Sequence, residues 1–216
     1  MLKAVIWDLD GTLLYTLEDL ADASNFALQK NGYDPISLEQ TRARIGNGIG
    51  NLIAMSIPGG HDNPDLLQIR RDFSEYYLKH CLDKTVPYPG IPELVAELKE
   101  RGIRNAIVSN KIDSAVHLID EHYFPSLMAA AIGEQENVRR KPDPQSVYNA
   151  LKILGISCAE AVYIGDSDVD VATAKNVPMT SIAVSWGYRD RDLLENCQPD
   201  FLADNVEELR KYLLCR

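Results

Sequence analysis

From about residue 105 to its end the chain alternates short apolar runs with amphipathic stretches, at a pitch that fits a parallel sheet joined by crossover helices. Strands are expected at Asn105 to Val108, Met128 to Ile132, Ala161 to Ile164 and Ser181 to Val184, with a short one near Phe201. Helices are expected between them at Asp113 to Tyr123, Gln145 to Leu154 and Asp168 to Asn176. A closing helix should start at Asn205, where Glu208 stands three residues on as a capping partner. Crossovers of this kind are right-handed, which narrows the topology to an open α/β sheet. Ala4 to Trp7 is an unbroken apolar run with β-branched and aromatic members, the composition of one more strand buried on both faces.

The stretch between those two regions reads differently. Leu17, Leu20, Ala21, Ala27 and Leu28 fall at helical spacing from Thr16 to Lys30, and Asn31-Gly32 supplies the stop. Ser37 and Gln40 form a capping-box pattern at the start of a second helix, and Asp65 to Leu82 reads as a third. No strand is expected from Leu14 to Lys84. Pro87-Tyr88-Pro89-Gly90-Ile91-Pro92 then forms a stiff, hinge-like passage before a helix carrying Ile91, Leu94, Val95 and Leu98 on one face. The expected architecture is an α/β parallel-sheet core of residues 1–13 and 85–216, interrupted by an all-helical insertion over residues 14–84.

Composition limits the partners. The 22 basic and 32 acidic side chains leave a formal charge of −10, which gives nucleic acid or an anionic membrane no general electrostatic attraction. Cys81, Cys158, Cys197 and Cys215 are widely spaced with no C-x-x-C pair, so reduced thiols and a cytoplasmic location are expected. No segment has the length and hydropathy of a membrane span. His61, His80, His117 and His122 lack ligand-like spacing and read as structural or surface residues.

In open α/β sheets ligands bind beyond the carboxyl ends of the strands. The polar residues there are Asp8 and Asp10, then Ser109, Asn110 and Lys111, then Arg140 and Lys141, and finally Asp166, Asp168 and Asp170. Two carboxylates about 4 Å apart repel by about 4 kcal/mol at an effective dielectric near 20, so Asp8, Asp10, Asp166 and Asp170 need a cation to ionise together. With oxygen ligands and neither thiol nor imidazole close in sequence, a hard ion such as Mg²⁺ is favoured over zinc. Lys141 adds a fixed positive charge. A metal, a lysine, a serine hydroxyl and loop amides are the parts that stabilise a phosphoryl group in transfer, and an ionised aspartate beside the metal is a nucleophile for it. The glycine run Ile45-Gly46-Asn47-Gly48-Ile49-Gly50 has the wrong spacing for a dinucleotide loop. It reads as a loop whose bare backbone approaches the crevice, with Gly46 and Asn47 near the substrate and Arg42 or Arg44 meeting an anion.

Asp8-Leu9-Asp10-Gly11-Thr12-Leu13, Ser109-Asn110-Lys111, Lys141-Pro142-Asp143-Pro144 and Gly165-Asp166-Ser167-Asp168-Val169-Asp170 resemble, in order, the four motifs of the haloacid dehalogenase superfamily, closest to its phosphoglycolate phosphatase-like branch. The resemblance spans the whole chain and implies a Rossmann-like core with the helical insertion as a cap. Carried over by position, it makes Asp8 the nucleophile, Asp10 the general acid and base, Ser109 a phosphate ligand, Lys141 the charge clamp and Asn110 a substrate contact. Asp166 would bind Mg²⁺ with Asp8 and the backbone carbonyl of Asp10, and Asp170 would be a ligand or an outer partner. Where many relatives have Leu-x-Asp-Ser after the first motif, this chain has Leu14-Tyr15-Thr16 and keeps only the hydroxyl; Asp168 is an added carboxylate. Leu14 to Thr16 and Pro87 to Pro92 would be the hinges of the cap.

The function so implied is a Mg²⁺-dependent phosphatase for a small anionic phosphomonoester, with 2-phosphoglycolate foremost, acting through an aspartyl-phosphate as a monomer or homodimer. A pyrophosphatase, a β-phosphoglucomutase or a nucleotidase would use the same core. A phospho-accepting signalling domain of the response-regulator type is about half this length and lacks D-x-D-G-T. A non-catalytic binding protein on the same scaffold is the remaining rival.

Overall fold

The computed structural model describes residues 1–215. Among them eight strands form: β1 (Ala4–Trp7), β2 (Leu14–Tyr15), β3 (Val86–Pro87), β4 (Arg104–Ile112), β5 (Met128–Glu134), β6 (Ala161–Gly165), β7 (Thr180–Val184) and β8 (Phe201–Ala203). Six of them make one parallel sheet in the order β5-β4-β1-β6-β7-β8. The expected run Ala4 to Trp7 is thus a central strand, paired with β4 on one side and β6 on the other. Its side chains alternate between two apolar clusters, Val5 and Trp7 in one and Ala4 and Ile6 in the other, as a two-residue repeat dictates. Trp7 is fully buried, and its indole N–H donates to Asn105 Oδ1 (3.0 Å), whose amide in turn donates to the Val95 carbonyl (3.0 Å).

The helices α1 (Leu17–Lys30), α2 (Leu38–Arg44), α3 (Ile49–Ala54) and α4 (Leu66–His80) form the cap. The sheet carries α5 (Ile91–Glu100), α6 (Asp113–Tyr123), α7 (Gln145–Leu154), α8 (Asp168–Asn176), α9 (Arg191–Asn196) and α10 (Val206–Leu214). Cap residues Leu20, Ile53, Phe73 and Tyr77 belong to the same apolar cluster as Val5 and Trp7, so the buried surface is continuous from sheet to cap. Ser37 caps α2 with the expected reciprocal bonds to Gln40. None of the described helices is long and apolar enough to cross a membrane.

Besides α9, which the sequence reading did not expect, three local features near the strand ends and the cap depart from it. Leu14–Tyr15, expected to lie in a strand-free stretch, pairs antiparallel with Val86–Pro87. The chain passes between core and cap twice, side by side, and the two passages satisfy each other's backbone groups over a length too short for any hydrophobic period. Strand β4 runs on to Ile112 instead of ending at Val108, held by pairing of Ile112 with Glu134 across a register shift. The glycine run does not end as a loop: Gly48, at φ 77°, opens the short helix α3.

Buried Asp19 ties the start of α1 to the returning passage. Its carboxylate accepts from the Lys84 N–H (3.0 Å), the Thr85 N–H (2.9 Å) and the Thr85 hydroxyl (2.8 Å). Replacing it with alanine leaves three buried or half-buried donors without an acceptor. Asp19→Ala is therefore expected to lower stability by at least about 2 kcal/mol in urea unfolding, with Asp19→Asn losing less; an unchanged midpoint would show that these bonds do not hold the joint.

Candidate active site

Strand β1 delivers Asp8 just past its last residue, with the Asp8 N–H on the Ile164 carbonyl (2.8 Å). The chain then turns sharply at Gly11, at φ 81°. A side chain there would collide with the carboxylate of Asp166, and one at Gly187 would collide with it from another direction. Glycine at these two positions lets backbone close around an acidic group. Asp166 follows β6, and Ser167 caps α8 reciprocally with Asp170.

Asp8, Asp166 and Asp170 are buried and bring one carboxylate oxygen each within 4.8 Å of one another. Lys141 Nζ lies 2.8 Å from Asp8 Oδ1 and 2.8 Å from Asp170 Oδ1, and donates to the Tyr163 hydroxyl (2.9 Å). Burial works against the charge on Lys141, but Asp170 and Asp8 outweigh it and hold its pKa well above the ordinary lysine value. Burial, reinforced by Asp170 and Asp10 and opposed by Lys141, pushes Asp8 up to about 7. Burial and then Asp170 and Asp8 push Asp166 well above the usual carboxylate range. One lysine does not balance three carboxyl groups.

The hydrogen bonds show where the spare capacity lies. Asp170 Oδ1 accepts from Lys141 (2.8 Å), and its Oδ2 from the Ser167 N–H (3.1 Å) and hydroxyl (2.5 Å). Asp166 accepts from the Thr12 hydroxyl (3.3 Å) and the Tyr188 N–H (2.6 Å). Among the described residues Asp8 Oδ1, which is buried, has no hydrogen bond, and its nearest cation is Lys141 Nζ at 2.8 Å. An orphaned buried oxygen, an all-oxygen donor set and excess negative charge together fit a hard divalent cation such as Mg²⁺.

Asp10 belongs to a second group. Its Oδ1 accepts from the Thr16 hydroxyl (2.5 Å) and pairs with Lys111 Nζ (2.9 Å). Lys111, buried, donates also to the Tyr77 hydroxyl of α4 (2.6 Å) and sits 4.5 Å from that ring's centre. Ser109 accepts from the Lys111 N–H (3.3 Å). Asn110 exchanges bonds with the Lys141 backbone (2.9 and 3.1 Å) and donates to the Gly46 carbonyl (2.9 Å), so its amide joins strand β4 and one core loop to the cap. Asp8, Asp10, Ser109, Asn110 and Lys111 face a cleft of about 50 Å³ whose cap side is apolar, with Leu20, Ile45, Ile49, Leu52 and Phe73.

Two cap residues expected at the substrate are elsewhere. Arg44, in the last turn of α2, donates to Ser56 Oγ (3.0 Å) inside the cap, and Asn47 is exposed; neither lines the cleft. Of the loop, Gly46 and Gly48 face the cleft. The alternative arginine, Arg42, reaches the Tyr188 carbonyl (2.8 Å) and Asp190 (3.2 Å). Asp168 stands outside the carboxylate group, half-exposed and 3.4 Å from Arg189. Lys111 was named by sequence as a strand-end residue of the second motif but given no role, and Tyr163, Tyr188 and Tyr77 were not singled out. A tyrosine inside the apolar run Ala161 to Ile164 was a usable signal, because its buried hydroxyl needs a partner; Tyr77 and Tyr188 reach the site from distant segments and gave none.

A family model described as haloacid dehalogenase-like hydrolase matches residues 5–184. The phosphoglycolate phosphatase of Vibrio cholerae serotype O1 is 31% identical over 220 residues, covering 99% of this chain and 97% of that protein. The N-acetylmuramic acid 6-phosphate phosphatase of Pseudomonas aeruginosa is 28% identical, over 96% of this chain and 93% of that one. Among solved structures, one from Lactobacillus delbrueckii subsp. bulgaricus provisionally named phosphoglycolate phosphatase superposes with a TM-score of 0.91 at 33% identity, covering 98% of each chain. CbbY from Rhodobacter sphaeroides, in complex with phosphate, superposes at 0.82 with 25% identity, over 97% and 96%.

If the carboxylate group holds Mg²⁺, saturating the ion to about a hundred times its Kd should stabilise the fold by about 2.7 kcal/mol. The thermal shift is expected to vanish in Asp166→Asn and persist in Asp168→Asn. It should be larger at pH 8 than at pH 6, because the ion displaces a proton that Asp8 holds below about 7. An undiminished shift in Asp166→Asn would place the ion elsewhere.

Proposed function

The chain belongs to the haloacid dehalogenase-like hydrolases and is a phosphoric monoester hydrolase; from that premise we propose that it is a Mg²⁺-dependent phosphatase for a small anionic phosphomonoester, 2-phosphoglycolate foremost, working through an aspartyl-phosphate on Asp8. The observation that carries this reading is the buried Asp8 oxygen left without a hydrogen bond in a carboxylate facing the cleft, two residues from Asp10. Asp8 attacks phosphorus in line with the ester oxygen, whose bond to phosphorus breaks. Asp10 gives the leaving oxygen a proton. Thr16 and Lys111 both occupy Asp10 Oδ1, which leaves Oδ2 to carry that proton. Water, deprotonated at the same oxygen, then attacks the aspartyl-phosphate and releases phosphate, regenerating Asp8.

Ser109 and Lys141 serve the transferring phosphoryl oxygens as hydrogen-bond donor and fixed charge. Asp8, Asp166 and the Asp10 backbone carbonyl would hold Mg²⁺, with Asp170, already engaged by Lys141 and Ser167, as the outer partner. When bound, the ion supplies positive charge to the phosphoryl group as it passes between oxygens. The cap, taken as residues 14–84, excludes water from this step, and the paired passages Leu14–Tyr15 and Val86–Pro87 are its joints.

The lining of the cleft supports a leaving group without sugar hydroxyls, because Leu20, Ile45, Ile49, Leu52 and Phe73 on its cap side offer no side-chain donor or acceptor.

Phosphate release should be measured with Mg²⁺, with and without chelator, on 2-phosphoglycolate, pyrophosphate, hexose phosphates and nucleotides. Metal-dependent turnover highest on 2-phosphoglycolate is expected, and Asp8→Asn should lose at least about a thousand-fold in kcat. Turnover that survives Asp8→Asn would overturn the covalent mechanism, and a better rate on another ester would reassign the substrate.

A further inference from the structure

Among the described residues the cleft is lined by one basic side chain, Lys111. Lys141 does not line the cleft: its ammonium donates to Asp170 and to the Tyr163 hydroxyl and lies 2.8 Å from Asp8. Arg44 and Arg42, the cations expected to meet a substrate anion, are engaged with Ser56 and with the Tyr188 carbonyl and Asp190. Lys111 Nζ has two partners, Asp10 and the Tyr77 hydroxyl, and its side chain is 2% exposed. An ammonium offers three donors, so one N–H of a buried cation is left over.

Its position says what that donor would meet. Lys111 Nζ is 2.9 Å from the carboxylate of Asp10, the group that handles the leaving oxygen, and not beside Lys141 among the groups that face the transferring phosphoryl. An acceptor reached by Lys111 is therefore on the leaving group, within an atom or two of the ester oxygen. The opposite wall, Ile45, Ile49, Leu52 and Phe73, provides no side-chain donor or acceptor for sugar hydroxyls.

We propose that Lys111 is the specificity-determining residue of this phosphatase, binding a carboxylate borne by the leaving group, so that the substrates are phosphate esters of short 2-hydroxycarboxylates. The assignment rests on the phosphatase reading above and adds the residue that selects the substrate class. Tyr77 completes it from the cap: its hydroxyl orients the ammonium only while α4 lies over the cleft, which joins recognition of the carboxylate to closure.

The test compares kcat/KM for 2-phosphoglycolate with that for 2-hydroxyethyl phosphate, a neutral ester of similar size, in the wild type and in Lys111→Met. A charge-assisted hydrogen bond to the carboxylate should give the wild type a preference of about ten- to a hundred-fold, and Lys111→Met should bring the ratio close to one whatever loss the two substrates share. If Lys111→Met lowers both substrates equally and leaves the ratio intact, Lys111 acts through Asp10 and the proposal falls. The wild-type ratio needs no variant, and a value near one overturns the assignment by itself. Hydrolysis of neither ester by the wild type would instead overturn the underlying substrate reading, and a wild type that turns over both esters without preference leaves that reading standing while removing Lys111 from it.

Discussion

Lys141 stands between two buried carboxylates, and the rest of the site is organised around the charge it fails to balance. Asp8 and Asp170 each lie 2.8 Å from its ammonium, while Asp166, packed beside them, has only hydrogen bonds to a hydroxyl and a backbone N–H. Burying three carboxyl groups against one lysine raises the cost of ionising them, which is why Asp8 and Asp166 hold their protons so far above the usual range. A hard cation relieves that crowding. The arrangement is thus poor as a stabilising device and well suited to binding a metal and then a phosphoryl group, whose own charge continues the same balance.

The cap matters because the core alone offers an open row of strand ends. Asn110 reaches the Gly46 carbonyl, Lys111 reaches Tyr77, and Arg42 and Arg189 trade bonds across the gap with the Tyr188 carbonyl and the Ile45 carbonyl. These links cross between two bodies that share one apolar cluster, so the cap both covers the cleft and orients polar groups on its floor. The same strand, β4, supplies Ser109, Asn110 and Lys111 because its pairing runs past Val108; had it ended there, these three would lie on a loop with less fixed directions.

Much of the fold was legible because its signals are local. An apolar run of four residues followed by acidic residues and glycine, as in Ala4 to Gly11, carries both a strand and the turn that ends it. Strand-end motifs sit within a few residues of their strands, so Asp8, Asp10, Ser109, Lys141, Asp166 and Asp170 could be chosen before any geometry was known. The misplacements have equally physical causes. Arg44 falls in the last turn of α2, and a shift of one or two residues in helix phase turns its side chain from the cleft to Ser56. The β2 and β3 pair is two residues long, below the length at which alternation can be seen.

By itself the sequence determined the order of elements, the parallel sheet and the identity of the acidic and basic groups at its strand ends, because hydrophobic period and chain connectivity act over short distances. Only the tertiary structure decided which carboxylates share one lysine, that Asp168 leaves the group for Arg189, and that Lys111 rather than an arginine of the cap supplies the cation in the cleft. Those outcomes depend on contacts between residues such as Tyr77 and Lys111, 34 positions apart. No local pattern encodes such a meeting, since it is the packing of one helix against one strand end that brings the two side chains within reach of each other.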